Sequence, residues 1–324
     1  MNTPDLSIII PIYNVEKYIA ECINTILDLP KSIMTECILV DDCGHDRSME
    51  IASEIIHNYS GQIEFQIIHH ECNKGLSSAR NTGLYVARGK YVFFFDSDDF
   101  ICPSGLYKLI ETALDIKADI IVGDYLEFNE GTDIESGILK NIDADKTTKY
   151  AGKRFFELYH RPLTSVVWRN LFRREFLIEN NIMFHDGVYF EDLEFTPIVF
   201  YKAKTVIYTG TLFYYYRKRH NSITTTTVSE KKVTDLILIW AELDKYVRKM
   251  SNKKLKSIFT DIGAISFLRQ YKLYGKPLNN KHLHIVNSCS INSVSSLKYK
   301  ILLSIFKYVP QNFVLHLLVK YSHL

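Results

Sequence analysis

The chain has 324 residues, 39 Lys/Arg against 37 Asp/Glu, and 47% hydrophobic residues, which is room for one large folded domain or two smaller ones and too apolar for a disordered chain. The near-zero balance hides an uneven spread: residues 241–324 hold fourteen Lys/Arg and three acids (Glu242, Asp244, Asp261), a net +11, and the remainder a net −9. Six cysteines without C-x-x-C or zinc spacing exclude a structural zinc module and suggest free thiols in a reducing compartment. No run of about 18 apolar residues predicts a spanning helix. Residues 6–12 are too short for a signal peptide, lack a basic flank and contain Pro11.

Residues 6–14, Leu-Ser-Ile-Ile-Ile-Pro-Ile-Tyr-Asn, read as a buried strand stopped by Pro11. Asn14 is the expected N-cap of a helix whose apolar face is Val15, Tyr18, Ile19, Cys22, Ile23, Ile26 and Leu27. Pro30 ends that helix. Residues 37–42 form a second buried strand finishing in Asp41 and Asp42. After the loop Cys43-Gly44-His45-Asp46, either Asp46 or Ser48 caps a helix with Met49, Ala52, Ile55, Ile56 and Tyr59 on one face. Residues 63–69 are a third strand, Asn73-Lys74-Gly75 a turn, and 76–87 a helix rich in small residues.

Residues 90–99, Lys-Tyr-Val-Phe-Phe-Phe-Asp-Ser-Asp-Asp, are the focus of the chain. Every position of 91–95 is apolar, as in a strand buried on both faces of a parallel sheet. Three carboxylates in four positions then fall at its carboxyl end, where open α/β sheets bind ligands. Such a cluster is tolerable beside water or beside a divalent cation, and oxygen-only ligands suit Mg²⁺ or Mn²⁺. An isolated D-S-D-D is equally compatible with a solvated turn capping the next helix through Asp99 or Ser104.

A helix over 103–117 and a strand at 119–122 follow, so the first 125 residues alternate β and α and predict a parallel sheet flanked by helices. Neither G-x-G-x-x-G nor G-x-x-x-x-G-K-[ST] is present, which counts against a dinucleotide or P-loop enzyme. Residues 126–150 read as a loop or weak hairpin, a helix begins at 155–158, and 165–182 carry Trp168, Leu171, Phe172 and Leu177 among basic residues. A second acidic focus, Glu191-Asp192, precedes a helix at 193–201. Residues 204–216 partly alternate and end in Tyr214-Tyr215-Tyr216-Arg217, three tyrosines better explained by strand packing than by an acceptor platform. Trp168 is expected in the core, and His45, His69 and His70 at loops and strand ends. Arg217 fits a salt bridge or a phosphate contact. Beyond about 228 the chain is helical and basic.

Six stretches over residues 6–223 resemble bacterial family 2 glycosyltransferases of the surface-polysaccharide type, in that family's order. They are Ser-Ile-Ile-Ile-Pro11-Ile-Tyr13-Asn14, Val40-Asp41-Asp42, Asn73-Lys-Gly75 through Arg80-Asn81-Thr-Gly83, Phe95-Asp96-Ser97-Asp98-Asp99, Phe190-Glu191-Asp192-x-x-Phe195, and Tyr214-x-Tyr216-Arg217 with Ser222-Ile223. The resemblance implies an α/β GT-A nucleotide-sugar fold with a mostly parallel central sheet flanked by helices. It divides the chain into a nucleotide-sugar half (1–125), an acceptor-side half (126–227) and a helical, basic C-terminal extension (228–324).

It implies an inverting, metal-dependent transfer of a hexose or N-acetylhexosamine from a UDP-sugar to a hydroxyl of an oligosaccharide acceptor, expected to be lipid-linked, in O-antigen, capsule or lipopolysaccharide synthesis. Asp41 or Asp42 would read uracil or ribose, and Pro11, Tyr13, Asn14 and Asn73 would shape the donor pocket. Arg80 would contact the diphosphate or the donor pocket, and Arg217, if not in a salt bridge, a donor phosphate. Asp96-Ser97-Asp98 would be the D-x-D motif, with Asp98 on Mn²⁺ or Mg²⁺ and Asp96 in the ribose and metal shell, and Asp99 would touch donor-sugar hydroxyls. The base is Asp192 or Glu191, with Asp192 preferred. One departure stands out: the family's D-D-G-S-x-D loop is here Asp41-Asp42-Cys43-Gly44-His45-Asp46. Lysines spaced among apolar residues in 297–321 suggest an interfacial membrane helix, or a helix packed on the protein, and hence a cytoplasmic enzyme at the inner face of the membrane. No nucleic-acid partner is expected. The competing readings are a nucleotidyltransferase, for which residues 11–14 lack a Gly-rich triphosphate loop, and a basic-tailed nucleic-acid binder.

Overall fold

A computed structural model describes residues 3–146, 148–163, 165–219, 227–306 and 308–320. Ser222, Ile223 and Lys307 therefore lie outside the described residues. The chain divides into two compact units, Met1–Gly187 with Val199–Ser222, and Val188–Ile198 with Ile223–Leu324.

The first unit is built on one sheet. Its strands are β1 (Leu6–Ile12), β2 (Thr35–Asp41), β3 (Glu64–His69), β4 (Tyr91–Phe94), β5 (Phe100–Ile101), β6 (Ile120–Asn129), β7 (Ile138–Lys140), β8 (Asn170–Arg173) and β9 (Val206–Lys218). Among the described residues the order is β3-β2-β1-β4-β8-β6-β9-β5, with β7 paired to β6. Strands β1 to β4 are parallel, as their apolar runs predict. The alternation over the first 125 residues predicts β6 in the same parallel sheet as β4, with no strand order given. Strand β8 inserts between them, antiparallel to both, and β6 pairs in parallel with β9. The 126–150 stretch resolves into the continuation of β6 and its hairpin with β7.

Helices α1 (Ile19–Leu27), α2 (Ser48–Asn58), α3 (Leu76–Val86), α4 (Pro103–Ile116), α5 (Gly152–Leu163) and α6 (Arg174–Glu179) belong to this unit. Helix α1 buries Ile19, Cys22, Ile23 and Ile26, the apolar stripe of its 3-4 spacing. Helix α3 lies so close to β1 that a Cβ on Gly83 would come within 2.3 Å of Ile9 Cγ2, which explains its small residues. All six cysteines are free.

Helix α7 (Asp192–Lys202) starts in the second unit and ends in the first. The second unit continues with α8 (Glu230–Lys249), α9 (Lys253–Tyr274), α10 (Asn280–Ser288), α11 (Leu297–Phe306) and α12 (Gln311–Lys320). Phe306 packs on Phe267 and Tyr271 of α9, and Tyr271 donates its hydroxyl to Gln311. The apolar faces of α11 and α12 thus join a helical core, while Leu297, Ile301, Tyr308 and Phe313 stay exposed. Among the described residues no helix is long and apolar enough to cross a membrane.

Candidate active site

The loops after β1, β2 and β4 meet at the carboxyl edge of the sheet. Pro11 and Ile12 are buried, and Tyr13 emerges 45% exposed. Asn14 does not cap α1, which starts five residues later from Tyr18 without a side-chain cap. It takes a left-handed backbone, φ +52°, a conformation Asn tolerates better than most residues. Its Oδ1 accepts the His45 amide at 2.8 Å. That bond ties the loop after β1 to the loop after β2. A second tie runs through Asp46, which accepts the Glu16 amide and the Ser48 amide and hydroxyl. Burial pushes the Asp46 carboxyl up, but these hydrogen bonds outweigh it and hold it below its ordinary value. Cys43 also sits left-handed, φ +60°, at the position where the family loop has glycine.

The two acids ending β2 part ways. Asp42 turns inward: its Oδ1 accepts the Lys74 amide and meets His70 Nδ1, and its Oδ2 accepts the Gly75 amide, all within 2.8 Å. The opposite ring nitrogen of His70 meets Thr82 Oγ1 of α3. Asp42 therefore shapes the turn that launches α3, where Gly75 adopts φ +88°. Asp41 points the other way. It meets His69 Nδ1 at 2.8 Å and accepts the Cys43 amide. Asn73 is exposed on the neighbouring turn.

Asp96, Asp98 and Asp99 also separate. Asp96 Oδ1 accepts Arg80 Nη2 at 2.6 Å; the Arg80 guanidinium is buried and lies over the Phe184 ring. Burial pushes the Asp96 carboxyl up, Arg80 opposes this, and Asp98 adds to it. Asp98 Oδ2 accepts Arg219 Nε. Asp99 neither caps α4 nor faces outward. It is 1% exposed, with Oδ2 taken by the Tyr214 hydroxyl at 2.6 Å and Oδ1 by the Arg217 amide at 2.7 Å. Both oxygens are thus engaged by β9. Burial first, then the Asp98 and Asp96 charges, drive its carboxyl well above the ordinary range. Ser97 is buried. Helix α4 is entered through Cys102 with Pro103 at its first position.

Arg217 is a salt bridge, paired with Glu21 and donating Nε to the Asp98 carbonyl. Trp168 is in the core, stacked on Tyr214 and Tyr216. His69 and His70 sit beside Asp41 and Asp42. Sequence reasoning missed Arg219, although Arg217 and Arg219 share one face of an extended chain.

The second acidic focus begins in the first unit and ends in the second. Asp186 accepts Ser78 Oγ and Asn81 Nδ2 of α3. In the second unit Phe190 is left-handed, φ +64°. Glu191 is buried and its carbonyl accepts the Glu194 and Phe195 amides. Asp192 opens α7, where helix amides stabilise negative charge.

Residues 7–180 match the profile of Glycosyl transferase family 2. The chain belongs to this family. Among its relatives, EpsJ of Bacillus subtilis, an uncharacterised glycosyltransferase, is 34% identical over 206 residues, which are 63% of this chain and 58% of EpsJ. YibD of Escherichia coli, also an uncharacterised glycosyltransferase, is 31% identical over 220 residues, 66% of this chain and 61% of YibD. The chain thus spans about three fifths of the length of these relatives. In fold it is similar to S. aureus TarS 1-349 in complex with UDP-GlcNAc, with TM-score 0.71 and 21% identity over 98% of this chain and 91% of that one. The GT-A architecture implied by the sequence is therefore present.

The resemblance in sequence leads to the expectation of a divalent cation at this edge. Among the described residues no group of three or more His, Cys, Asp or Glu could hold a metal. Asp96 and Asp98 each have one oxygen in an ion pair, Oδ1 with Arg80 and Oδ2 with Arg219 respectively, which leaves the other oxygen of each for a cation. Two such carboxylates fit Mg²⁺ or Mn²⁺, which bind one or two protein carboxylates and complete their shell with phosphate and water.

Proposed function

We propose that this chain is an inverting glycosyltransferase that moves a hexose or N-acetylhexosamine from a UDP-sugar to a hydroxyl of an oligosaccharide acceptor. One observation carries the reading: an exposed ring, Tyr13, a carboxylate, Asp41, and the pair Asp96 and Asp98 all emerge from loops at the same sheet edge. The Ile12↔Asp41 and Ile9↔Phe94 registers place them on adjacent strands. Tyr13 offers a stacking face for uracil, and Asp41 an acceptor for the uracil N3–H or a ribose hydroxyl. Asp42 is assigned to the fold, because its oxygens already receive two amides and His70. TarS, which shares the fold, is seen with UDP-GlcNAc.

Asp98 and Asp96 would hold a divalent cation, which when bound would offset the charge developing on the leaving diphosphate. Arg80, braced by Asp96, keeps a positive charge at the same edge. Asp192, or Glu191 in its place, takes the acceptor proton. The acceptor oxygen bonds to the anomeric carbon as its bond to the β-phosphate breaks, and UDP departs. A single displacement on an α-linked donor gives a β-linked product. The acceptor is lipid-linked, and the basic region 241–324 meets the inner face of the membrane that carries it. Surface-polysaccharide synthesis is the setting.

The test is calorimetric titration of UDP, GDP and CMP into the full chain, with Mn²⁺ and with EDTA. UDP alone binding, and only with Mn²⁺, is the expected outcome. Binding of another nucleotide moves the donor class, and binding of none overturns the reading.

A further inference from the structure

The second unit contains a pocket of about 400 Å³ between α8, α9, the 289–293 loop and α11. Its lining includes Arg248, Lys256, Ser290, Asn292, Ser304 and Tyr308 and, among the described residues, no Asp or Glu. Asp244, buried behind the wall, accepts Arg248 Nε at 2.8 Å and the Ser290 amide at 2.9 Å. One charge of the pocket is thereby compensated and its loop pinned. Lys256 differs: it is half-buried, and among the described residues no carboxylate pairs with its ammonium. A half-buried cation beside hydroxyls and an amide, with no anion of its own, is a site for an external anion.

The surroundings specify what the anion is attached to. Leu297, Ile301, Ser304 and Tyr308 recur at four, three and four residues, so they form one stripe along α11 and the turn after it. Leu297, Ile301 and Tyr308 are 71%, 49% and 85% exposed, while Leu302, Leu303 and Phe306 fill the opposite, buried face. The stripe leads from bare apolar surface directly into the pocket, because Ser304 and Tyr308 belong to both. Around it, residues 241–324 carry a net +11.

We infer that this pocket holds the phosphate of an anionic membrane lipid, with Lys256 as its principal donor and the Leu297–Ile301–Tyr308 stripe against the acyl region. The inference rests on the reading that the C-terminal region meets a membrane, but not on the donor-site assignments. It adds a defined headgroup site to what diffuse charge alone would supply.

The experiment is partition of the full chain onto vesicles of neutral phosphatidylcholine, with and without about a third phosphatidylglycerol. Wild type, Lys256→Gln, Lys256→Arg and Lys298→Gln are compared, each first shown by circular dichroism and melting to be folded. Lys298 is exposed on α11 outside the pocket lining, so its loss removes the same charge without touching the site. Binding is expected only with the anionic lipid. Lys256→Gln should lose about tenfold, as for one charge-assisted hydrogen bond, Lys298→Gln no more than about threefold as for a screened surface charge, and Lys256→Arg little. Equal losses for Lys256→Gln and Lys298→Gln would overturn the pocket and leave a membrane contact by diffuse charge. Failure of wild type to bind either vesicle would overturn the membrane reading as well. Inorganic phosphate is the remaining arm: wild type that binds it in calorimetry while ignoring both vesicles would assign the pocket to a soluble phosphorylated ligand and refute the lipid.

Discussion

Arg219 donates Nε to Asp98 Oδ2 from a point 121 residues further along the chain. The carboxylate nearest the proposed cation is thus already half-neutralised by a cation of the protein. Metal and arginine share one carboxylate, whose negative charge Arg219 already offsets, so Arg219→Ala should tighten Mn²⁺ binding, by about tenfold for one neighbouring charge removed in a partly shielded site. Titration of Mn²⁺ into the nucleotide-free protein, followed by electron paramagnetic resonance, reads this. Unchanged or weaker binding would show that Arg219 supports the cation site.

The division of labour between Asp41 and Asp42 separates stability from binding. Asp42→Asn leaves an amide group facing N–H donors inside the fold and should cost ~2–4 kcal/mol in chemical denaturation. Asp41→Asn should leave the denaturation midpoint within about 0.5 kcal/mol of wild type and weaken UDP binding. The reverse pattern would exchange the two roles.

Transfer should fail differently at the two acidic foci. Asp98→Ala should lose both turnover and metal-dependent UDP binding. Asp192→Asn should keep UDP binding and lose about 10²–10⁴-fold in turnover, the usual contribution of a general base. If Glu191→Gln shows that pattern and Asp192→Asn does not, Glu191 is the base.

At the amino ends of the strands, Glu36 supplies a pH signature unconnected with the site. Burial pushes its carboxyl up, but the Ser7 hydroxyl and Arg88, through its amide and its guanidinium, overcome this and hold it below its ordinary value of 4.5. A depressed folded value means that the stabilisation is complete above 4.5 and is lost as pH falls through the folded value. The stability advantage of wild type over Glu36→Gln should therefore shrink with acidification below about 4.5 and stay flat above about 6. A difference independent of pH would show that the ionised form is not what the fold prefers.

Much of this arrangement is legible in the residues alone, for a physical reason. An all-apolar run that stops in acids reports both a strand buried on two faces and which of its ends is wet. That makes β1, β2, β4 and their loops readable. Strand β8 is not: four residues among Trp168, Phe172 and Leu177 suit either periodicity, and only its partners β4 and β6 decide for a strand. The orientations of Asp41 and Asp42 are a matter of pleat phase, since neighbours on a strand point opposite ways. That phase is fixed by His70 and the Lys74–Gly75 amides, from outside the strand. Asp99 shows the same limit, because its partners, Tyr214 and Arg217, lie more than a hundred residues away. Helix α11 buries one face in a helical core and leaves another bare, and its spacing alone does not say which face would be covered.

The stacking of Trp168 between Tyr214 and Tyr216 has a spectroscopic use. The chain has two tryptophans, and they fall one in each compact unit, Trp168 in the first and Trp240 in the second. Trp168 lies one ring away from the Tyr214 hydroxyl that holds Asp99, next in sequence to Asp98. With Trp240 replaced by Phe, emission from the remaining indole becomes an internal probe of whatever binds at the D-x-D turn. With Trp168 replaced instead, the same wavelength reports the melting of the helical unit alone.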